Sequence, residues 1–310
     1  MSGKLINFQI VLAMLCLVTA VFAQTAFAQG AAGFSISALP ASLRLDPSDG
    51  RVIDDAHRAY AMPPLGEVLK KNWIYDGREV RLHAARGEYV SFQLVVENLA
   101  DSTLHDIAVD MQPFSAGGHS LAQKPELFLE WAVQVKAYST GYERGNLGGG
   151  WYPDALIPLE LLEQDVAQKN HLAYPLELPD FHNRIDHQRF LLIWIDQYVP
   201  FEQSGAPAGE YLSQASVKIG GKTLTLPVKL KIWNFALPNE NRLAGNLQHE
   251  GFIRAMDENL ELKIYQLFKK NRVVPADPTY TPAISVAAPG KVAIDWSSID
   301  SRLGKYLTGE

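Results

Sequence analysis

The sequence predicts a mainly β protein, an antiparallel β-sandwich followed by the incomplete start of a (β/α)8 barrel. At least seven apolar runs with a two-residue period fall between about residues 78 and 234, separated by turn signals. Two strictly alternating arms, residues 211–219 and 222–232, flank Gly220-Gly221, a pair that supplies the positive φ values of a tight hairpin turn. After Pro238 the apolar period lengthens to that of helices, and far fewer residues remain than the roughly 250 of a full barrel.

The chain has 310 residues, 47% hydrophobic and 20% charged, enough apolar material for a real core. Its net charge of −6, without a long basic run, gives counterion release no source, so nucleic acid is not an expected partner. Lys4, the apolar residues 10–23 and Ala26-Phe27-Ala28 read as a secretory signal peptide over residues 1–28, cut before Gln29. The apolar stretch is shorter than the roughly 20 residues of a bilayer span, so no membrane span is expected after cleavage. The one cysteine, Cys16, leaves with that peptide, and the mature chain then has neither disulfides nor thiolate chemistry. A periplasmic or secreted bacterial protein held by its core is the expected result.

Residues 29–77, rich in small residues, proline and serine, read as an extended segment able to supply one edge strand. Within the sandwich, residues 78–238, Val80, Leu82 and Ala84 alternate with Arg81 and His83; Val90, Phe92, Leu94 and Val96 continue after Gly87. Ile107, Val109 and Met111 form a further half-buried strand. Leu127, Leu129, Trp131, Val133 and Val135 share one face opposite Phe128, Glu130, Gln134 and Lys136. Phe190-Leu191-Leu192-Ile193-Trp194-Ile195 is apolar on both faces and reads as a central strand covered on both sides. Pro227 cannot donate to a ladder, which places it at an edge or bulge. The long loops between residues 139 and 188 favour a sandwich over an up-and-down barrel.

In residues 239–310, Leu260, Ile264, Leu267 and Phe268 share a helical face, with Glu258 and Glu261 near its start and Lys269, Lys270 and Arg272 at its end, as the helix dipole favours. Residues 283–294 read as one extended segment, and Asp295 is placed to cap a second helix carrying Trp296, Ile299, Leu303 and Leu307. This is about one and a half βα units, and it reads as the front portion of a longer protein.

Ala84-Ala85-Arg86-Gly87-Glu88-Tyr89-Val90-Ser91-Phe92-Gln93 and Trp151-Tyr152-Pro153-Asp154-Ala155-Leu156-Ile157-Pro158 resemble the N-terminal sandwich of secreted bacterial glycoside-hydrolase-like proteins. That set includes glycoside hydrolase family 123 and relatives whose barrel is catalogued as a domain of unknown function. Trp194-Ile195-Asp196-Gln197-Tyr198-Val199-Pro200, Ala208-Gly209-Glu210-Tyr211, Trp233-Asn234-Phe235-Ala236-Leu237-Pro238, Asn271-Arg272-Val273-Val274-Pro275 and residues 294–300 agree in order. The resemblance implies a sandwich packed on a barrel, glycosidic-bond hydrolysis, and carbohydrate as the partner, with N-acetylhexosaminides as a substrate class. It also implies substrate-assisted chemistry by an adjacent Asp-Glu pair on a middle barrel strand, the glutamate as general acid/base and the aspartate steadying the acetamide. The only Asp-Glu step here, Asp257-Glu258, lies in a first helical turn where acids are common, so no catalytic residue is assigned.

Two groups are candidates for sugar contact. Asn246, Gln248, His249 and Glu250 lie at the expected C-terminal end of the first barrel strand, where barrel sites form; ordinary polar turn chemistry is the simpler explanation of them. Trp151 and Tyr152 follow Gly148-Gly149-Gly150 and read as aromatics on a mobile loop, able to stack on a pyranose or to anchor one domain on another. Asp180, His182, Asp186 and His187 are the densest group of ligating side chains but match no zinc spacing, so no metal is expected. Residues 145–150 are not followed by Lys-Ser/Thr, so neither a phosphate loop nor a cofactor is predicted. A non-catalytic carbohydrate-binding or structural sandwich is the alternative reading.

Overall fold

The computed structural model describes residues 33–53, 66–136, 149–162, 175–180, 183–238, 258–273 and 282–308. The chain divides into two compact units, Met1–Leu237 and Pro238–Glu310.

The first unit opens with β1 (Phe34–Pro40), the short ribbon of β2 (Arg44–Leu45) and β3 (Val52–Ile53), and the one-turn helix α1 (Glu67–Lys70). There follow β4 (Val80–Arg86), β5 (Glu88–Asn98), β6 (Leu104–Met111), β7 (Ser115–Ala116), β8 (His119–Ser120) and β9 (Glu126–Val135). β10 (Gly150–Pro158), α2 (Leu159–Leu162), β11 (Leu176–Leu178), β12 (Phe190–Val199), β13 (Gly209–Ile219) and β14 (Lys222–Ala236) complete it. A five-stranded antiparallel sheet has the order β1-β5-β12-β9-β10. A second sheet runs β11-β6-β13-β14-β4, with β7 and β8 beside β13; its β14–β4 pair is parallel, an exception to the otherwise antiparallel ladders. The protein is therefore mainly β with antiparallel sheets, as the alternation predicts.

One apolar core lies between the two sheets. Ile36, Phe92, Leu94, Ile193 and Ile195 face it from the five-stranded sheet, and Leu82, Ile107, Val217, Val228 and Leu230 from the other. The alternation decides this, because the two-residue period sends every second side chain to the same face. β12 is the exception that its sequence announces. Leu191, Ile193 and Ile195 enter the inter-sheet core, while Phe190 and Leu192 join a second cluster with Leu39, Leu43, Leu45, Val68 and Val95 on the outer face. The leading segment covers that face, so it supplies both the expected edge strand, β1, and a lid over the central strand.

The β13–β14 hairpin turns at Gly220-Gly221, whose φ values of 54° and 82° suit residues without a Cβ. Pro227 sits opposite Gln214, one residue before the β4 ladder begins at Val228–Val80, so its missing N–H falls where that pairing ends. Tyr211 is buried and its hydroxyl donates to the Pro207 carbonyl four residues upstream, at 2.9 Å.

The second unit contains α3 (Glu258–Lys270), β15 (Ala283–Ala288), β16 (Lys291–Asp295) and α4 (Ser297–Thr308). The two helices follow the period read from the sequence, and Asp295 Oδ1 accepts from the Ser297 N–H at 2.9 Å at the start of α4. The segment expected to be one extended strand folds back instead. Pro289-Gly290 makes a turn, with Gly290 at φ 83°, and β15 pairs antiparallel with β16. A single parallel barrel strand is therefore not what residues 283–294 form; the Pro-Gly step breaks the run.

Candidate functional site

Trp151 and Tyr152 lie in β10, the edge strand of the five-stranded sheet, and not on a loop: Gly150 is already the first strand residue. Trp151 pairs with Gln134 and Tyr152 with Val133. Consecutive strand residues point to opposite faces, so the two rings cannot stack on one sugar. Tyr152 shares the face of Val133 and Trp131, the latter packed on the inter-sheet core; Trp151 shares the outer face with Gln134 and, further along β9, Glu130.

The start of β10 is fixed by a buried aspartate in the leading segment. Asp46 is only 3% exposed. Its Oδ1 accepts from the N–H and hydroxyl of Ser48, at 2.9 and 2.6 Å, and its Oδ2 from the N–H of Trp151 at 3.3 Å and Nη2 of Arg51 at 3.5 Å. A Cβ on Gly150 would lie 3.2 Å from that Arg51 nitrogen and 3.3 Å from Asp46 Oδ2, so the approach of backbone to carboxylate depends on glycine at this position. Asp46 thus ties the turn at residues 46–51 to the strand that carries the aromatics.

On the same face Glu130 is nine-tenths buried, and its Oε1 has no hydrogen-bond partner among the described residues. Burial pushes its carboxyl pKa up to about 8, against a smaller opposing pull from the Arg44 guanidinium. Near neutral pH the folded protein therefore favours the protonated form of this carboxyl. Alternation placed Glu130 on the polar side of β9, and nothing local signals that the chain covers that side. Arg86, in the motif that carries the family resemblance, is a second buried group: its Nε and Nη1 lack partners among the described residues.

Two cavities border the five-stranded sheet. One, of about 490 Å³, is lined by Ser35, Ser37, Glu97 and Arg189 among others, but its charges are already engaged: Arg189 Nη2 lies 2.7 Å from Glu97 Oε1, and Ser35 Oγ donates to Oε2 at 3.1 Å. The other, of about 580 Å³, is walled by the loop at residues 98–103 and by His187 and Gln188.

The remaining candidates are placed as follows. Asn246, Gln248, His249 and Glu250 lie outside the described residues, as does His182. Asp180 is engaged locally: its N–H donates to Gln188 Oε1 at 2.6 Å and its Oδ1 accepts from the Asn183 N–H at 3.3 Å. Among the described residues no three histidine, cysteine, aspartate or glutamate side chains gather as a metal site. Among them, too, no helix is long and apolar enough to cross a membrane.

No protein-family model matches the chain, and no curated protein matches it in sequence. Among solved structures the fold is similar to that of a family 123 glycoside hydrolase from Clostridium perfringens, analysed for glycolipid glycan hydrolysis, with a TM-score of 0.58 and 12% identity. The match covers 89% of this chain and 46% of that one, so this chain spans about half of that enzyme's length. A macrocyclisation enzyme of alchivemycin A biosynthesis (TM-score 0.26, 10% identity, 52% of this chain and 89% of that one) is much less similar. So is the sialic acid binding region of a Streptococcus sanguinis adhesin (TM-score 0.21, 12% identity, 69% and 42%). The first likeness is one of fold.

Proposed function

We propose that this chain is the N-terminal part of a secreted or periplasmic bacterial carbohydrate-active protein of the glycoside-hydrolase type. Glycosidic bonds, those of N-acetylhexosaminides foremost, are the bonds it serves to cleave. The observation that carries this reading is the fold likeness to the family 123 hydrolase over 89% of the chain. The resemblance of residues 84–93, 151–158 and 233–238 to the sandwich of such proteins is in keeping with it. In this reading the sandwich, residues 78–238, supports a barrel that begins in residues 239–310. Asn246, Gln248, His249 and Glu250 supply sugar contacts at the mouth of that barrel, and the catalytic Asp-Glu pair lies outside this chain. No metal or cofactor is needed, since the substrate's own acetamide is the nucleophile, the glutamate of the pair is the general acid/base and the aspartate steadies the acetamide.

A second reading, a non-catalytic glycan-binding or structural sandwich, is favoured by one feature: Glu258, the glutamate of the chain's only Asp-Glu step, opens α3. The genomic sequence downstream of the Glu310 codon separates the two. The hydrolase reading expects the frame to continue through further βα repeats with an adjacent Asp-Glu at a strand end. An immediate stop codon would overturn it in favour of the second.

A further inference from the structure

The outer face of the second sheet carries an aromatic platform that the barrel-centred reading does not use. Trp233 on β14 is 45% exposed, and one face of its indole stacks on the imidazole of His83, with ring centroids 5.7 Å apart and planes 22° from parallel. The ladder explains the contact. Lys231 pairs with His83 across the β14–β4 edge, and Trp233 is the next residue along β14 on the same face, so its ring reaches back diagonally to the imidazole. The pairing of Lys231 with Glu210 extends the row onto β13. A large, flat, half-exposed ring therefore stands beside a three-strand row of His83, Lys231 and Glu210.

The charges in that row differ from those nearer the start of β4. There Glu79 holds Lys229 Nζ at 2.9 Å and Arg81 Nη2 at 2.8 Å, and Asp76 holds Arg81 as well, so the acids and bases are mutually satisfied. Lys231 and Glu210 enter no ion pair with any described residue, although they are cross-strand neighbours. Their donor and acceptor capacity points outward, next to the indole.

We infer that Trp233, with His83, Lys231 and Glu210, forms a glycan-contact site on the sandwich, in which the indole stacks on the apolar C–H face of a pyranose ring. This rests on the carbohydrate-directed function proposed above. A sugar fits where a protein partner does not. Its ring presents one apolar face of about the area of an indole, and its rim of hydroxyls both donates and accepts, so it satisfies Lys231 and Glu210 together. A protein of ordinary interface size would cover about 800 Å² and bury both charges without a counterpart, which is costly. A purely anionic ligand would use Lys231 but meet repulsion from Glu210.

The test is titration of the full chain with soluble tetrasaccharides of N-acetylglucosamine, N-acetylgalactosamine, glucose and xylose, followed by tryptophan fluorescence and calorimetry. At least one is expected to bind. Trp233→Ala should weaken that binding about tenfold or more, corresponding to one stacked ring. The double substitution Lys231→Met with Glu210→Gln should weaken it severalfold while leaving the indole in place. Trp73→Ala, which removes an exposed tryptophan elsewhere, should leave it unchanged. An unshifted denaturation midpoint shows that each variant is folded. Binding of none of the four sugars, or equal binding by Trp233→Ala, overturns the inference. The hydrolase reading is scored separately, by hydrolysis in the product of the whole reading frame, so either idea can fail while the other stands.

Discussion

Replacing Glu130 by glutamine is expected to remove a loss of stability that the native protein suffers as pH rises from about 4.5 to 8. The sign follows from the proton count. In the unfolded chain this carboxyl ionises near its ordinary pKa of 4.5, whereas in the sandwich burial holds the proton until about pH 8. Between those values the folded state binds more protons than the unfolded state, so stability falls as pH rises. The contribution is fully present below pH 4.5 and is lost by the time pH passes 8. A pKa difference of this size corresponds to about 3–5 kcal/mol. Glutamine keeps the shape and a donor but cannot ionise. Urea midpoints of the two proteins should nearly coincide at pH 5, and the variant should be the more stable by several kcal/mol at pH 9. Parallel pH profiles would show that Glu130 is solvated, contrary to its burial.

The second large effect is expected from Asp46→Ala. The substitution removes the acceptor shared by Ser48, Arg51 and Trp151, and leaves the Ser48 and Trp151 N–H groups without their partner. Orphaning a buried donor costs about 1–3 kcal/mol, and these two are only partly buried, so a loss of roughly 1–3 kcal/mol in all is expected. Arg51 adds little to this, because its side chain is half exposed and its contact is 3.5 Å long. Amide exchange at Trp151 should accelerate more than at Ile193 in the central strand, since the carboxylate anchors the edge strand specifically. Asp46→Asn, which keeps one carbonyl acceptor, should fall between the two. Uniform acceleration of both amides would mean that Asp46 supports the whole sandwich rather than the start of β10.

How much of this was legible in the sequence depends on how local the cause is. The β13–β14 hairpin was legible because strict alternation and Gly220-Gly221 specify both arms and the turn. The doubly buried β12 was legible because residues 190–195 leave no polar face. Glu130 was not, since alternation sends it outward, and its burial near Arg44 depends on contacts between segments distant in sequence. The roles of Asp46 and of the Trp233–His83 platform were hidden for the same reason: each depends on which strands become neighbours. Trp151 and Tyr152 were found as aromatics, but β10 begins early enough to send them to opposite faces. The Pro289-Gly290 turn is a different case. Its signal was present in the sequence and was outweighed by the apolar alternation around it. Asn246, Gln248, His249 and Glu250 fall outside the described residues, so their part in the proposed site rests on the resemblance and on their expected position in a barrel.

Hydrolysis of a chromogenic N-acetyl-β-galactosaminide is the most direct measurement of the central proposal. It should be run on this 310-residue chain and on the product of the whole reading frame that contains it. The account predicts nitrophenolate release by the longer product, abolished when its adjacent Asp-Glu pair is neutralised, and none by the chain alone. Release by this chain alone would place the catalytic carboxylates within these residues and contradict the account. Absence of hydrolysis of this and other N-acetylhexosaminides by both would contradict the hydrolase reading itself.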